Sequence, residues 1–76
     1  MAKKTNQKSH SVYRIIDAVG VSEESWEDAG RIGVETAAGS LRDLRVAEVI
    51  KMDMKVDNGK VTAFRTRVAL SFKYEA

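Results

Sequence analysis

Apolar and polar residues alternate with a period of two in three stretches of the chain, a pattern typical of β-strands. The first stretch covers residues 11–19 and is followed by Gly20, which is expected to end the strand. The second covers residues 45–56 and the third residues 60–74. Asp57-Asn58-Gly59 separates the last two, and Asn-Gly tolerates the positive φ angles of a tight hairpin turn. The pattern predicts one strand near the N-terminus and a long hairpin near the C-terminus.

The faces of these strands differ in character. Both faces of the first strand are partly apolar, so both are expected to meet protein. One face of the last strand carries Thr62, Phe64, Thr66, Val68, Leu70, Phe72 and Tyr74. Strict alternation in the middle strand predicts one face made of Val46, Glu48, Ile50, Met52, Met54 and Val56.

A helix is predicted between the first two strands. Ser22 is a plausible N-cap, acidic residues follow it, and Gly39 is a natural stop, which gives a helix of about 16–18 residues. Its apolar stripe is made mostly of small side chains, which allow a helix axis to lie close to a sheet. The stripe consists of Trp26, Ala29, Gly30, Gly33, Ala37 and Leu41.

The predicted order is β-α-β-β, an α+β fold with a three-stranded antiparallel sheet around one helix. We expect residues 1–10 to form a flexible basic tail and residues 11–76 to form one domain. A helix of about 25 Å cannot cover a hairpin of about 40 Å. Part of the hairpin end with Met52, Met54, Val56 and Phe64 is therefore expected to stay bare in a single chain and to associate with other copies.

The composition supports association. A chain of 76 residues buries only about 60% of the surface that its unfolded form exposes. It has no Cys for disulfides, and its single His, His10, lies in a polar stretch, which argues against structural zinc. The lack of Cys suits the cytoplasm, and no apolar run reaches the ~20 residues of a membrane span. The N-terminus lacks the apolar segment of a secretory signal.

The net positive charge of the chain comes from the first ten residues. Lys3, Lys4 and Lys8 account for three of the 13 basic residues, so residues 11–76 carry 10 basic against 11 acidic groups. A nucleic-acid binder normally shows a basic face on the domain itself. Nucleic acid is therefore not expected as a partner, and weak, salt-dependent binding through the tail is the alternative.

The residue types required for common catalytic mechanisms are scarce. The chain lacks the residues for nucleophilic catalysis of the Ser-His or Cys-His type, because it has no Cys and its only His is in the predicted tail. Gly30-Arg31-Ile32-Gly33 falls inside the predicted helix and is interpreted as packing rather than as a phosphate loop. The chain is not predicted to be an enzyme.

Four carboxylates, Asp17, Glu48, Asp53 and Asp57, are spread over the strands and the turn. Ca²⁺ needs six to eight oxygens. A calcium site would therefore combine carboxylates from several subunits or use many waters. The alternative is that these groups are solvated or salt-bridged, and that Asp57 stabilises the turn.

Three further side chains have two interpretations each. Trp26 is interpreted as a core or interface anchor, with ligand stacking as the alternative. Arg65 and Arg67 point to one face of the last strand. They are expected to pair with carboxylates across an interface, with anion binding as the alternative.

Several segments together resemble the dodecin family. They are SVYRIID at 11–17, VGVS at 19–22, LRDLRVAEV at 41–49 and VALSFK at 68–73, within a match over residues 11–75. The resemblance implies a sheet wrapped around one helix and a hollow homododecamer. It also implies a flavin-storage or small-ligand-binding protein rather than a catalyst.

The resemblance also marks two departures. Val46 stands where typical dodecins have the Trp that stacks on flavin, and Arg65 stands where they have the Gln that hydrogen-bonds the ring. Losing the aromatic platform argues against flavin, which remains the alternative ligand. Ser25-Trp26-Glu27, Arg45-Val46-Ala47 and residues 53–57 resemble the calcium-binding dodecins instead.

That subgroup implies Ca²⁺ as the bound ion, with Asp17, Glu27, Asp53 and Asp57 as candidate ligands. We therefore expect a homododecamer that stores or sequesters a small ligand or metal ion. Flavin storage and a structural cage are the alternatives. The candidate interface residues are Trp26, Glu48, Met52, Met54, Phe64, Arg65 and Arg67.

Overall fold

The computed structural model of the chain describes residues 11–74, so the predicted tail at 1–10 and the last two residues lie outside the described residues. Along the chain follow β1 (Val12–Ser22), α1 (Trp26–Ala38), β2 (Leu44–Asp57) and β3 (Lys60–Tyr74). The strands form an antiparallel sheet in the order β1-β3-β2. The predicted β-α-β-β order and α+β class are confirmed.

Strand β1 continues through Gly20 to Ser22, so the prediction that Gly20 ends the strand is wrong. Gly20 lies directly beneath α1. A Cβ placed on Gly20 would stand 1.8 Å from the carbonyl oxygen of Ala29, and Gly33 faces it from the helix. The glycine is present because the helix backbone touches the strand there.

Helix α1 begins later than predicted and has 13 residues, because its N-cap is Ser25 rather than Ser22. Ser25 is extended, and its hydroxyl accepts a hydrogen bond from the backbone N–H of Asp28 at 3.0 Å. The hydroxyl of Ser22 accepts from the N–H of Glu24 at 2.8 Å and donates to the Asp28 carboxylate at 2.7 Å. Both serines thus order the turn between strand and helix, and Gly39 caps the C-terminus as predicted.

The core lies between α1 and the pair β1–β3. Thr66, Val68 and Leu70 of β3 are buried against the helix, which confirms the predicted apolar face in the middle of this strand. The Thr66 hydroxyl donates to the backbone oxygen of Trp26 at 2.8 Å. Ala29 is fully buried on the helix side. Apart from Leu70, this compact core is made of small and β-branched side chains.

Strand β2 does not keep strict alternation. The register shifts between Val49 and Lys51, which leaves Ile50 without a partner, as in a β-bulge. Because a bulge inserts one residue, side chains before and after it exchange faces. The prediction that a single face runs from Val46 to Val56 is therefore wrong.

The partners on β3 show which side chains of β2 face the helix. Leu70, Val68, Thr66 and Phe64 all lie on the helix side, so the residues opposite them share that face. These residues are Ala47, Val49, Met52 and Met54. Val46 and Glu48 are opposite Ser71 and Ala69 and lie on the other face.

The predicted hairpin turn is confirmed. Asn58 and Gly59 both have positive φ angles, 50° and 75°, as a two-residue turn between right-handed strands requires. A second bulge follows at once, because Val56 pairs with Val61 while Lys55 pairs with Ala63. Among residues 11–74, no helix has the length and apolarity needed to cross a bilayer.

Candidate functional site

The face of the sheet that points away from α1, here called the outer face, carries most of the charged residues of the three strands. In the middle of this face, side chains from neighbouring strands line a shallow basin of about 200 Å³, here called the outer basin. It is lined by Val19, Lys51, Asp53, Arg65 and Arg67. The outer basin thus holds three basic side chains, and two of the candidate calcium ligands lie in it or beside it.

Asp53 and Arg65 are opposite each other in β2 and β3 and form a two-pronged ion pair. Arg65 Nε donates to Oδ1 of Asp53 at 2.7 Å, and Nη2 donates to Oδ2 at 3.1 Å. These hydrogen bonds lower the pKa of Asp53 below its ordinary value, partial burial opposes the shift, and the charges of Arg65 and Lys51 reinforce it. The same hydrogen bonding raises the pKa of Arg65.

Asp17 of β1 is paired with Arg67 of β3. Arg67 Nε donates to Oδ2 of Asp17 at 3.0 Å, and Nη2 contacts the same oxygen. In the sheet, Arg67 lies between Val19 and Lys51. Both carboxylates remain accessible, because the side chains of Asp17 and Asp53 are 43% and 40% exposed.

The other two candidate ligands lie elsewhere. Asp57 accepts a hydrogen bond from the Thr62 hydroxyl at 2.8 Å beside the hairpin turn, which fits the turn-stabilising alternative. Glu27 lies in the first turn of α1. Within residues 11–74, no three His, Cys, Asp or Glu side chains of one chain come close enough to hold a metal ion. A four-ligand calcium site therefore stays a prediction, and it would need more than one copy of the chain.

Trp26 connects the helix to the hairpin. Its ring meets Phe64 edge-on, with 5.0 Å between the ring centroids, and its Nε1 donates to the backbone oxygen of Asp53 at 3.0 Å. Trp26 is therefore engaged within its own chain. Its predicted part in an interface stays a prediction.

An apolar groove of about 300 Å³, here called the helix-side groove, lies between α1 and β2. Its lining includes Trp26, Gly30, Val34, Ala47, Val49 and Met52. The hairpin beyond it is bare in the single chain, with Met52, Met54 and Val56 each about half exposed. This confirms the expected exposure at the end of the hairpin, although Phe64 is partly covered by Trp26.

The two positions that correspond to flavin contacts in typical dodecins lie far apart in one chain. Val46 is on the outer face opposite Ser71, and its side chain is 54% exposed. Arg65 lies on β3 six residues before Ser71, which corresponds to about 20 Å along the strand. One chain alone does not bring these positions into one site.

Sequence reasoning missed both intrachain ion pairs and the presence of Lys51 in the outer basin. From the turn outward, Asp57 pairs with Lys60 and an unbroken register would place Asp53 opposite Phe64. The bulge at Thr62 moves Asp53 opposite Arg65 instead. The opposite charges of these two side chains were the available signal.

Comparisons with known proteins identify relatives over most of the chain. A sequence model of the Dodecin family matches residues 12–75. The calcium dodecin of Mycobacterium tuberculosis is 48% identical over 64 residues, which cover 83% of this chain and 89% of the relative.

Solved structures give the same result. The crystal structure of the calcium-chelating calcium dodecin of Mycobacterium tuberculosis, described as having a novel calcium-binding site, is 45% identical with a TM-score of 0.75. The match covers 86% of this chain and 93% of that chain. The dodecin of Streptomyces coelicolor is 29% identical with a TM-score of 0.82, and the match covers 90% and 97% of the two chains.

Proposed function

The chain belongs to the dodecin family, and on that premise we propose that it forms a closed homododecamer that binds Ca²⁺ as a storage or sequestering protein. The 48% identity to a calcium dodecin carries the proposal. We propose a binding role and no catalysis, with the cytoplasm as the location.

The bare end of the hairpin supports assembly. Helix α1, at 13 residues, is about 20 Å long, whereas the 15-residue β3 extends about 50 Å. Apolar side chains on the uncovered part, such as Met54 and Val56, stay exposed in one chain. Contiguous exposed apolar surface of this kind marks interaction sites, and further copies of the chain would cover it.

The chemistry of the carboxylates supports Ca²⁺. Asp17, Glu27, Asp53 and Asp57 supply hard oxygen donors, which this ion prefers. Asp17 and Asp53 are accessible on the outer face. Since one chain does not bring three of these groups together, we propose that the sites form between subunits, with waters completing the coordination.

Native mass spectrometry combined with thermal unfolding tests the proposal. We expect one species of twelve chains and a melting temperature that rises with calcium and falls again with chelator. A ligand that binds only the folded state at 100 times its Kd contributes about 2.7 kcal/mol per site. Magnesium at the same concentration is the control, because it demands a smaller, octahedral site.

Two results would separate the parts of the proposal. Folded single chains at micromolar concentration would contradict the assembly. An intact dodecamer whose melting temperature is unchanged across millimolar calcium would contradict calcium binding and leave the cage itself as the function.

Flavin binding is the second candidate function. Tyr13 lies on the outer face, as Val46 does, and its side chain is 44% exposed, so it could offer an aromatic surface. Trp26 is the weaker substitute because its ring and Nε1 are already engaged. Quenching of added flavin fluorescence that disappears in Tyr13→Ala would support this function, and unquenched fluorescence would dismiss it.

A further inference from the structure

The outer basin carries more positive than negative charge. Its lining holds Lys51, Arg65 and Arg67 against a single carboxylate, that of Asp53. Asp53 pairs with Arg65, and Asp17, which lies beside the basin, pairs with Arg67. The charge of Lys51 acts on Asp53, but its side chain forms no ion pair among residues 11–74. One positive charge of the basin is thus left without a carboxylate of its own.

The register of the sheet places these like charges next to one another. Lys51 of β2 is directly opposite Arg67 of β3, and Arg65 lies two residues before Arg67 on the same face. The Cα atoms of opposite residues in an antiparallel pair are about 4.5–5.5 Å apart, and those of alternate residues in one strand about 7 Å. Like charges directly opposite each other destabilise a sheet. An anion held among the three side chains would replace this repulsion with attraction.

Both guanidinium groups keep hydrogen-bond donors for a second acceptor. Arg65 donates to Asp53 through Nε and Nη2, and Arg67 uses the same two nitrogens for one oxygen of Asp17. A guanidinium has five N–H groups, so each arginine can bind a further oxygen while its ion pair stays in place. The ion pairs also hold the two guanidinium groups in position, which lowers the entropic cost of binding a ligand.

We propose that the outer basin binds a small tetrahedral oxyanion, inorganic phosphate, through Lys51, Arg65 and Arg67. The planar donors of arginine match the geometry of phosphate oxygens, and lysine supplies a compact positive charge. The volume of about 200 Å³ is below the range of about 300–1,000 Å³ for pockets that hold drug-sized ligands, so it suits a single small ion. The cationic groups make the contacts, and the inference therefore does not depend on calcium binding.

Calorimetric titration of the chelator-treated full chain with sodium phosphate, in 0.15 M sodium chloride, tests the proposal. Lys51→Gln removes the positive charge that has no ion pair and leaves both arginine pairs intact. We expect it to weaken phosphate binding by about two- to five-fold, the range set by the strength of exposed ion pairs. Arg67→Gln removes donors and leaves Asp17 unpaired, so it should weaken binding at least as much. Lys51→Arg keeps the charge and should bind phosphate as wild type does.

Lys55→Gln is the matched control. Lys55 lies on the same strand as Lys51, is exposed, and is opposite Ala63, outside the lining of the outer basin. Its substitution removes the same charge about 13 Å further along the strand. Because that separation exceeds the Debye length of about 8 Å at 0.15 M salt, the phosphate affinity of Lys55→Gln should equal that of wild type.

The affinities are compared for variants that native mass spectrometry shows to have the same assembly as wild type. Weaker binding in Lys51→Gln and Arg67→Gln, with Lys51→Arg and Lys55→Gln close to wild type, supports the proposal. No binding of millimolar phosphate by wild type, or equal affinities in Lys51→Gln and Lys55→Gln, would overturn it. Neither result bears on calcium binding, because the titration contains no calcium.

Should Arg67→Gln fail to assemble, Lys51→Gln still decides the question. It breaks none of the ion pairs of the outer basin and relieves the repulsion between Lys51 and Arg67, so the fold should tolerate it.

Discussion

The two halves of the sheet are built differently, although β3 is common to both. Under α1, the pair β1–β3 is closed: Gly20 and Gly33 let the backbones touch, and Leu70 and Val68 are fully or almost fully buried. On the other side, β2 leaves the helix-side groove open and exposes its methionines. On the helix side of the sheet, one half therefore packs tightly within the single chain, while the other half leaves apolar side chains exposed.

The largest effect is expected from a substitution that forces α1 and β1 apart in the closed half. In Gly20→Ala the new methyl group would meet the Ala29 carbonyl oxygen at 1.8 Å, so helix and strand must separate. We expect a loss of about 3 kcal/mol in the free energy of unfolding, which overpacking of a tight contact commonly costs. Chemical denaturation followed by circular dichroism measures it.

Gly30→Ala is the control for that substitution. Its Cβ would lie 3.4 Å from Cγ2 of Thr66, an ordinary contact at the edge of the tight range, and alanine favours the helix. Stability near or above that of wild type is expected. Equal destabilisation by both alanines would show that the close approach at Gly20 is not the cause.

A charged side chain placed in the open half tests whether that half is covered by another copy of the chain. Met52→Glu places a carboxylate in the helix-side groove, where the side chain is 57% exposed in one chain and meets no penalty until another copy covers it. We expect the folded chain to persist while the assembly is lost, because burying an unpaired carboxylate costs several kcal/mol. Sedimentation velocity reports the mass, and circular dichroism reports the fold.

Lys60→Glu is the control. It introduces a glutamate at an exposed polar position at the start of β3, beside the turn, and we expect this variant to assemble normally. If Met52→Glu stays fully assembled, the groove is not an interface.

Trp26→Phe tests the contact between the helix and the hairpin. Phenylalanine keeps a ring near Phe64 but loses the hydrogen bond from Nε1 to the Asp53 oxygen. A loss of about 1 kcal/mol in the free energy of unfolding is expected, as for one intramolecular hydrogen bond. Thermal unfolding measures it, and no change would mean that water replaces the indole donor without cost.

The smallest effect concerns pH. Because the pKa of Asp53 is lower in the folded chain than its ordinary value near 3.8, its ion pair with Arg65 stabilises the fold above that value. The contribution disappears as the pH falls through the lowered pKa. The difference in melting temperature between wild type and Asp53→Asn should therefore shrink below about pH 4. A difference that stays constant down to pH 2.5 would contradict this assignment.

Much of the fold was predictable because local signals agreed. Asn58-Gly59 fixed the turn, and the stripe of small residues predicted close packing between helix and sheet. The helix start was misplaced by three residues, since Ser22 and Ser25 are both good caps and only the length of β1 decides between them. The faces of β2 were partly wrong because nothing in the residue types around Ile50 marks a bulge.

The candidate site was less predictable than the fold. The pairing of Asp53 with Arg65 depends on a register that the bulge at Thr62 sets. The pairing of Asp17 with Arg67 depends on how β1 and β3 align, and these strands are distant in the sequence. Contacts between copies depend on surfaces that a single sequence does not locate. The four candidate calcium ligands therefore stay a prediction, while the pairing of Asp17 and Asp53 with arginines is an observation.

The bulges at Thr62 and Ile50 shift the register of the hairpin in opposite directions. Thr62 advances β3 by one residue, and Ile50 restores the original frame on β2. Asp53 meets Arg65 only in the segment between them. Ile50 and Thr62 have no partner in the sheet, so deleting either residue would leave the pairs on both sides of it in place, including Asp53 with Arg65. Each bulge therefore lets one strand of the hairpin carry an extra residue while the charge pairing is kept.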